Sequence, residues 1–128
     1  MRLLLDTHAL LWYLLDDPKL SKLAKTSISD TSNTILVSPA SYWEIAIKIS
    51  IGKYHLHESL DMFMERELSD NGFSILPIAV SHAAKVTSLP FHHRDPFDRL
   101  VIAQALHEDI PIVGADVIFD DYGVTRIW

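Results

Sequence analysis

Five short apolar runs punctuate this chain, and each is halted where a strand would be interrupted. Arg2–Leu5 stops at Asp6 and Thr7, Thr34–Val37 at Ser38 and Pro39, and Phe73–Leu76 at Pro77. Ile110–Val113 stops at Gly114, Ala115 and Asp116, and Val124–Ile127 follows near the end of the sequence. Such runs have strand length, and runs apolar at nearly every position suit strands covered on both faces. The segments between them carry helical spacing. His8–Leu15 is short and apolar, and Ser21–Ser29 is polar on one side. Pro39–Ile51 places Trp43, Ile47 and Ile51 four apart and ends at Gly52, a suitable C-terminal cap. Leu60–Asp70 gathers Leu60, Phe63, Met64 and Leu68 on one face, and Ser81–Leu89 is stopped by Pro90. Pro96–His107 is apolar almost all round and is expected to be the most buried helix. Strands alternating with helices predict an α/β fold: a three-layer α/β/α sandwich on a central, mainly parallel, five-stranded sheet with right-handed crossovers. Residues 1–128 form a single domain on this reading.

Composition narrows the chemistry. Seventeen acidic residues against 11 basic ones give a net charge of −6. A nucleic-acid binder working by charge alone would be basic, so approach to a phosphate backbone needs a local basic patch or bound cations. The absence of cysteine excludes disulfides, thiolate metal sites, iron–sulfur clusters and catalytic thiols. No apolar run approaches the roughly 20 residues of a membrane span. An acid at position 6 comes too early for the apolar core of a secretion signal, so a cytoplasmic location is expected.

Four acids stand at related places. Asp6 ends the first run, Glu44 lies in the first turns of the helix after the second, and Asp116 follows the fourth. Asp98 lies in the first turn of the apolar helix, after Asp95 and Pro96. In an open parallel sheet, strand carboxyl ends and helix N-termini share one edge, where such folds take ligands. Converging carboxylates repel one another, and a divalent cation relieves the repulsion. Oxygen ligands without cysteine or paired histidine suit Mg²⁺ or Mn²⁺. Each acid also has a plainer reading. Asp6 caps a helix; Ser41 and Glu44 match a capping box; Asp95, Pro96 and Asp98 match N-cap, N1 and N3; Asp116 caps Val117–Phe119. Lys48 and Arg99 are candidate salt-bridge partners for Glu44 and Asp98.

At these residues the sequence resembles PIN-domain proteins, specifically VapC-type toxin ribonucleases of type II toxin–antitoxin pairs. The resemblance runs through Leu3–Trp12, Val37–Lys48, Gly52-Lys53, Leu76–Ile78, His92–Ala105, Val113–Asp116 and the terminal Tyr122–Trp128. The Asp95-Pro-Phe-Asp-Arg-Leu100 block with Trp43-Glu-Ile45 upstream is its specific part. It implies an α/β/α sandwich with Mg²⁺- or Mn²⁺-dependent endoribonuclease activity. Asp6, Glu44, Asp98 and Asp116 take the places of the family's four acids, as catalytic and metal-binding residues. Asp95 is a supporting neighbour, and Thr7 is the hydroxyl expected to orient the first acid. The resemblance also implies an RNA substrate and a cognate antitoxin that pushes a segment into the acidic cleft. Relatives commonly carry Thr or Ser where this chain has Gly114; the plainer reading gives that glycine to a turn.

Around the acids, Arg94, Arg99, Lys48 and Lys53 are candidates to guide RNA, and His92-His93-Arg94 to touch phosphate or simply to form a solvated loop. None of the seven histidines pairs at zinc-helix spacing. Trp12, Tyr13, Tyr42 and Trp43 suit base stacking, though core packing or a subunit contact suits the tryptophans better. Ile49, Ile51, Tyr54, Leu56, Met62 and Phe63 are surplus apolar residues and point to a homodimer. Two other classes compete with the nuclease. A catalytically silent binding module would bind no metal. A receiver-like signalling domain needs an Asp after a middle strand and a late Lys, and the sequence offers neither.

Overall fold

The computed structural model describes residues 1–128. The order is β1 (Arg2–Leu5), α1 (Thr7–Leu14), α2 (Lys22–Ser29), β2 (Thr34–Val37), α3 (Pro39–Ser50), α4 (Leu60–Asn71), β3 (Ser74–Ile75), α5 (Val80–Val86), α6 (Pro96–Glu108), β4 (Ile112–Val113), a 3-10 helix (Val117–Tyr122) and β5 (Arg126–Ile127). The strands form one sheet in the order β3-β2-β1-β4-β5, with every pairing parallel. The α/β sandwich read from the sequence is the observed fold.

The Leu3-Leu4-Leu5 run explains itself once the sheet is covered on both sides. Neighbouring strand residues point to opposite faces. Leu3, Leu5, Ile35, Val37 and Val113 pack with α1, α2 and α4. Leu4, Leu36 and Ile112 pack with α6 and with Phe119 and Tyr122 of the 3-10 helix. Helix α6 is the most buried, as its composition predicts: Val101, Ile102, Ala103 and Ala105 are inside, together with Arg99 and Gln104. Gln104 Nε2 spends its donor on the Leu76 carbonyl at 3.2 Å.

The central strands match their apolar runs residue for residue, whereas β3, β4 and β5 keep only two residues each. Proline sets two of these limits. Pro77 follows Leu76 and has no N–H to continue the ladder, and Pro111 cannot donate ahead of β4, though its carbonyl accepts from Leu4 N at 3.0 Å. At the end of α3, Gly52 takes a positive φ of 78°, and Lys53 N closes on the Lys48 carbonyl at 2.8 Å. That is the expected left-handed helix stop.

The topology decides where a ligand can sit. From β1 the chain builds β2 and β3 to one side, then returns to lay β4 and β5 on the other. The β1/β4 junction is therefore the switch point, and in folds of this kind ligands sit above the carboxyl ends of the strands that flank it.

Candidate metal centre

Asp6 is the first residue past β1. Its backbone N–H donates to the Val113 carbonyl at 3.0 Å, which ties it to the end of β4. Its Oδ1 accepts from Ala9 N at 2.7 Å, so Asp6 does cap α1. The cap also fixes the direction of the carboxylate. A Cβ on Gly114 would lie 2.9 Å from Asp6 Oδ2 and 2.9 Å from Phe119 Cε2. The glycine is thus required for space beside the carboxylate rather than for a left-handed turn, and this replaces the turn reading. Asp6 is only 4 % exposed, and no Lys or Arg pairs with it. Burial, against the opposing Ala9 hydrogen bond and with the added repulsion of Asp98, Asp116 and Glu44, pushes its pKa up to about 7.

Glu44 is buried inside α3. The cap of that helix is Ser38, whose Oγ accepts from Ala40 N at 3.1 Å, with Pro39 in the first turn. The Ser41–Glu44 capping box therefore does not form, because a better-placed serine three residues earlier has taken the helix start. Both side chains instead face α1. Glu44 Oε1 accepts from Thr7 Oγ1 at 2.7 Å, and Ser41 Oγ lies 3.1 Å from the same hydroxyl. Glu44 Oε2 is 3.4 Å from Lys48 Nζ. Thr7 thus holds the second acid, not the first. Lys48 is committed to Glu44 on the next helical turn.

Asp95, Pro96 and Asp98 open α6 as their sequence order predicts. Asp95 Oδ1 accepts from Phe97 N at 2.8 Å and from Asp98 N at 3.1 Å. Asp98 is free of the capping duty and turns toward Glu44 and Asp6. Burial first, then the negative Asp95 and Glu44, raise its pKa to about 6 against the lowering influence of His93. Asp116 caps the 3-10 helix through Ile118 N at 3.0 Å and keeps an exposed side chain. His93 Nε2 lies 2.7 Å from Asp98 Oδ2 and 3.5 Å from Asp116 Oδ2. Four acids separated in sequence thus share one edge of the sheet. Asp6, buried without a counter-cation, fits a divalent ion there, and the all-oxygen donor set suits a hard one. Asp98 and Asp116 bring carboxylate oxygens within 4.8 Å of one another and of a His93 ring nitrogen, whereas Asp6 and Glu44 lie outside that group and are near enough to repel Asp98 or be repelled by it.

Arg99 does not meet the expectation of an RNA contact or an ion pair with Asp98. It is buried, and its guanidinium donates to the Pro90 carbonyl at 2.8 Å and the Leu89 carbonyl at 3.3 Å, with Phe91 stacked 4.2 Å from it. It staples the loop before α6. Arg94 is exposed beside the site. Trp43 is 60 % exposed and stands edge-on to Phe97 at 5.3 Å, so it is no core tryptophan, whereas Phe63 is buried. His93 is the residue the sequence reading undervalued. The sequence offered it only as a phosphate contact or part of a solvated loop, whereas its ring faces Asp98 and Asp116.

A model of the PIN domain family matches residues 3–124. The chain belongs to the PIN-domain family. Solved structures with similar folds include VapBC2 from Rickettsia felis, bound to a DNA fragment from their promoter, at 16 % identity, covering 98 % of this chain and 97 % of that one with a TM-score of 0.75. FitAcB from Neisseria gonorrhoeae is similar at 16 % identity over 97 % and 95 % of the two chains, with a TM-score of 0.64. VapBC-1 from nontypeable Haemophilus influenzae is similar at 14 % identity over 98 % and 96 %, with a TM-score of 0.63. No curated protein matches by sequence.

Proposed function

We propose that this PIN domain is a Mg²⁺- or Mn²⁺-dependent endoribonuclease and the toxin of a type II toxin–antitoxin pair. The observation that carries the reading is the Asp6 carboxylate: without a cationic partner, its pKa raised first by burial and then by the nearby Asp98, Asp116 and Glu44. An isolated buried charge of this kind costs several kcal/mol. A divalent ion removes that cost and, when bound, supplies positive charge at a scissile phosphate and acidifies water.

The residues then divide the work. Asp6, Glu44 and Asp98 would hold the ion, and Asp116, the exposed acid of the four, would complete it from the side open to substrate. Thr7 and Lys48 keep Glu44 aimed, Asp95 fixes the start of α6, and Gly114 leaves room for Asp6. A carboxylate of the quartet accepts the proton of the attacking water. The new P–O bond forms from water as the bond from phosphorus to the 3′-oxygen breaks. The products carry a 5′-phosphate and a 3′-hydroxyl, because water rather than the 2′-hydroxyl attacks. Arg94 is the free cation best placed to steer RNA to an acidic chain.

A partner surface supports the toxin reading. A groove of about 320 Å³ between α3, α4 and β3 is lined by Tyr42, Leu60, Met64, Leu68 and Ile75. Such a surface suits a second copy of this chain or an antitoxin segment. The similar structures named VapBC2, FitAcB and VapBC-1 favour the antitoxin. No helix is long and apolar enough to cross a membrane, which agrees with a cytoplasmic toxin. The test is cleavage of structured RNAs with Mg²⁺ or Mn²⁺, repeated with chelator and with Asp6→Asn, followed by mapping of the cut ends. Cutting that survives both controls ends this reading.

A further inference from the structure

A neutral imidazole has one donor and one acceptor nitrogen, while a backbone N–H can only donate. His93 Nδ1 accepts the Asp95 N–H at 3.2 Å, so the ring proton sits on Nε2. That nitrogen is buried between Asp98 and Asp116, and it meets neither carboxylate along a straight hydrogen-bond line. The three ligand-type atoms lie within 4.8 Å of one another, as in a metal site. A ligating histidine instead turns its bare nitrogen to the metal and donates its other N–H to an acceptor. His93 has the reverse arrangement.

We infer that the His93 imidazole occupies the place a second divalent cation would take between Asp98 and Asp116, and so makes this a one-ion centre. The inference rests on the metal-dependent reading given above and fixes its stoichiometry. The two-ion alternative needs a second cation about 3.5–4 Å from the first. Here the positive end of an N–H dipole already stands against the two carboxylates that would share it.

The ring is held there by a dedicated scaffold. The His93 backbone N–H donates to Tyr122 Oη at 2.8 Å, and that hydroxyl donates to the Pro90 carbonyl at 2.8 Å. Arg99 Nη1 donates to the same carbonyl at 2.8 Å and reaches the His93 carbonyl at 3.4 Å. A buried guanidinium with five donors thus binds the loop at several carbonyls. This accounts for an arginine next to Asp98 that ignores the acid and turns backward. Through this loop, Arg99 and Tyr122 act as positioning residues for His93.

The test is titration of the metal-free protein with Mn²⁺, read by calorimetry and by electron paramagnetic resonance. The expected result is one ion for the unaltered chain, with an isolated-ion spectrum. His93→Ala should take up two ions and give the spectrum of an exchange-coupled pair. His93→Gln, which returns an N–H donor to the same region, should stay at one. Two ions in the unaltered chain, or one ion of unchanged affinity in His93→Ala, would falsify the inference while leaving the nuclease reading intact. Loss of the ion in His93→Ala would make His93 a ligand and overturn it as well. No uptake by the unaltered chain would remove both.

Discussion

Two histidines perform the same local task at opposite ends of α6. His82 Nδ1 accepts the backbone N–H of Ala79, the N-cap of α5, at 2.9 Å, and His93 Nδ1 accepts that of Asp95, the N-cap of α6, at 3.2 Å. Each leaves a protonated Nε2 facing carboxylate: Glu108 at 3.5 Å for His82, and Asp98 at 2.7 Å for His93. The surroundings separate them. His82 is 2 % exposed and packs edge-on against His107 at 5.3 Å, with one acid in reach. His93 stands at the switch point of the sheet, where the acids of β1, α3, α6 and β4 collect. Three ligand-type atoms within 4.8 Å occur in both clusters, so proximity alone does not mark a metal centre. What sets the His93 cluster apart is a further carboxylate, Asp6, buried with no cation of its own. The His82 cluster has no such charge to neutralise and serves as a bolt between α5 and α6.

The sharpest way to break this contrast is activity. Asp98→Asn should lower Mn²⁺-dependent RNA cleavage roughly 10²–10³-fold. Glu108→Gln should leave it within about twofold. Equal losses in initial-rate assays would erase the distinction. Stability should divide the other way. His82→Ala opens a buried cavity and orphans the Ala79 N–H, at about 2–3 kcal/mol in urea unfolding. His93→Ala should cost about 1 kcal/mol, because that ring keeps 19 % of its side-chain surface exposed and gives up a longer hydrogen bond.

The pH dependence follows from Asp6. Its pKa rises from an ordinary 3.8 to about 7 in the fold, so the folded chain keeps a proton that the unfolded chain has released. The Asp6 contribution to stability is then full below pH 4 and is lost as pH rises toward 7. Asp98, raised to about 6, acts in the same direction. The metal-free protein should lose roughly 5 °C in Tm across that window, a drift that Asp6→Asn reduces to the part due to Asp98 and millimolar Mn²⁺ reverses. Gly114→Ala acts on the same carboxylate by crowding it. Its methyl displaces the Asp6 carboxylate, and Mn²⁺ affinity measured by calorimetry should fall about tenfold.

What the sequence could reveal divides along similar lines. Leu3-Leu4-Leu5 and Ile35-Leu36-Val37 announced buried central strands, because both faces of such strands must be apolar. The edges were harder: Pro77 and Pro111 shorten their ladders through missing donors, which an apolar run does not display. The four acids were legible as charges at strand and helix ends. Their supports were not. Ser41 and Glu44 spell a capping box in one dimension, yet Ser38 precedes them and takes the cap. Arg99 sits beside Asp98 in the chain, but the helix turns its side chain toward a loop anchored by Tyr122, 23 positions away. Such contacts exist only after α6 has packed, so local spacing carries no trace of them.

The position of β1 at the middle of the sheet also sets a timetable for synthesis. Its amides at Leu4 and Asp6 bond to the carbonyls of Pro111 and Val113, which leave the ribosome more than a hundred residues later. Chains emerge amino end first. A nascent copy therefore lacks Asp116, the Gly114 notch and the neighbour that aligns Asp6 until β4 and the residues after it are made. On the nuclease reading, no acidic centre is assembled while the first half of the fold is still being made.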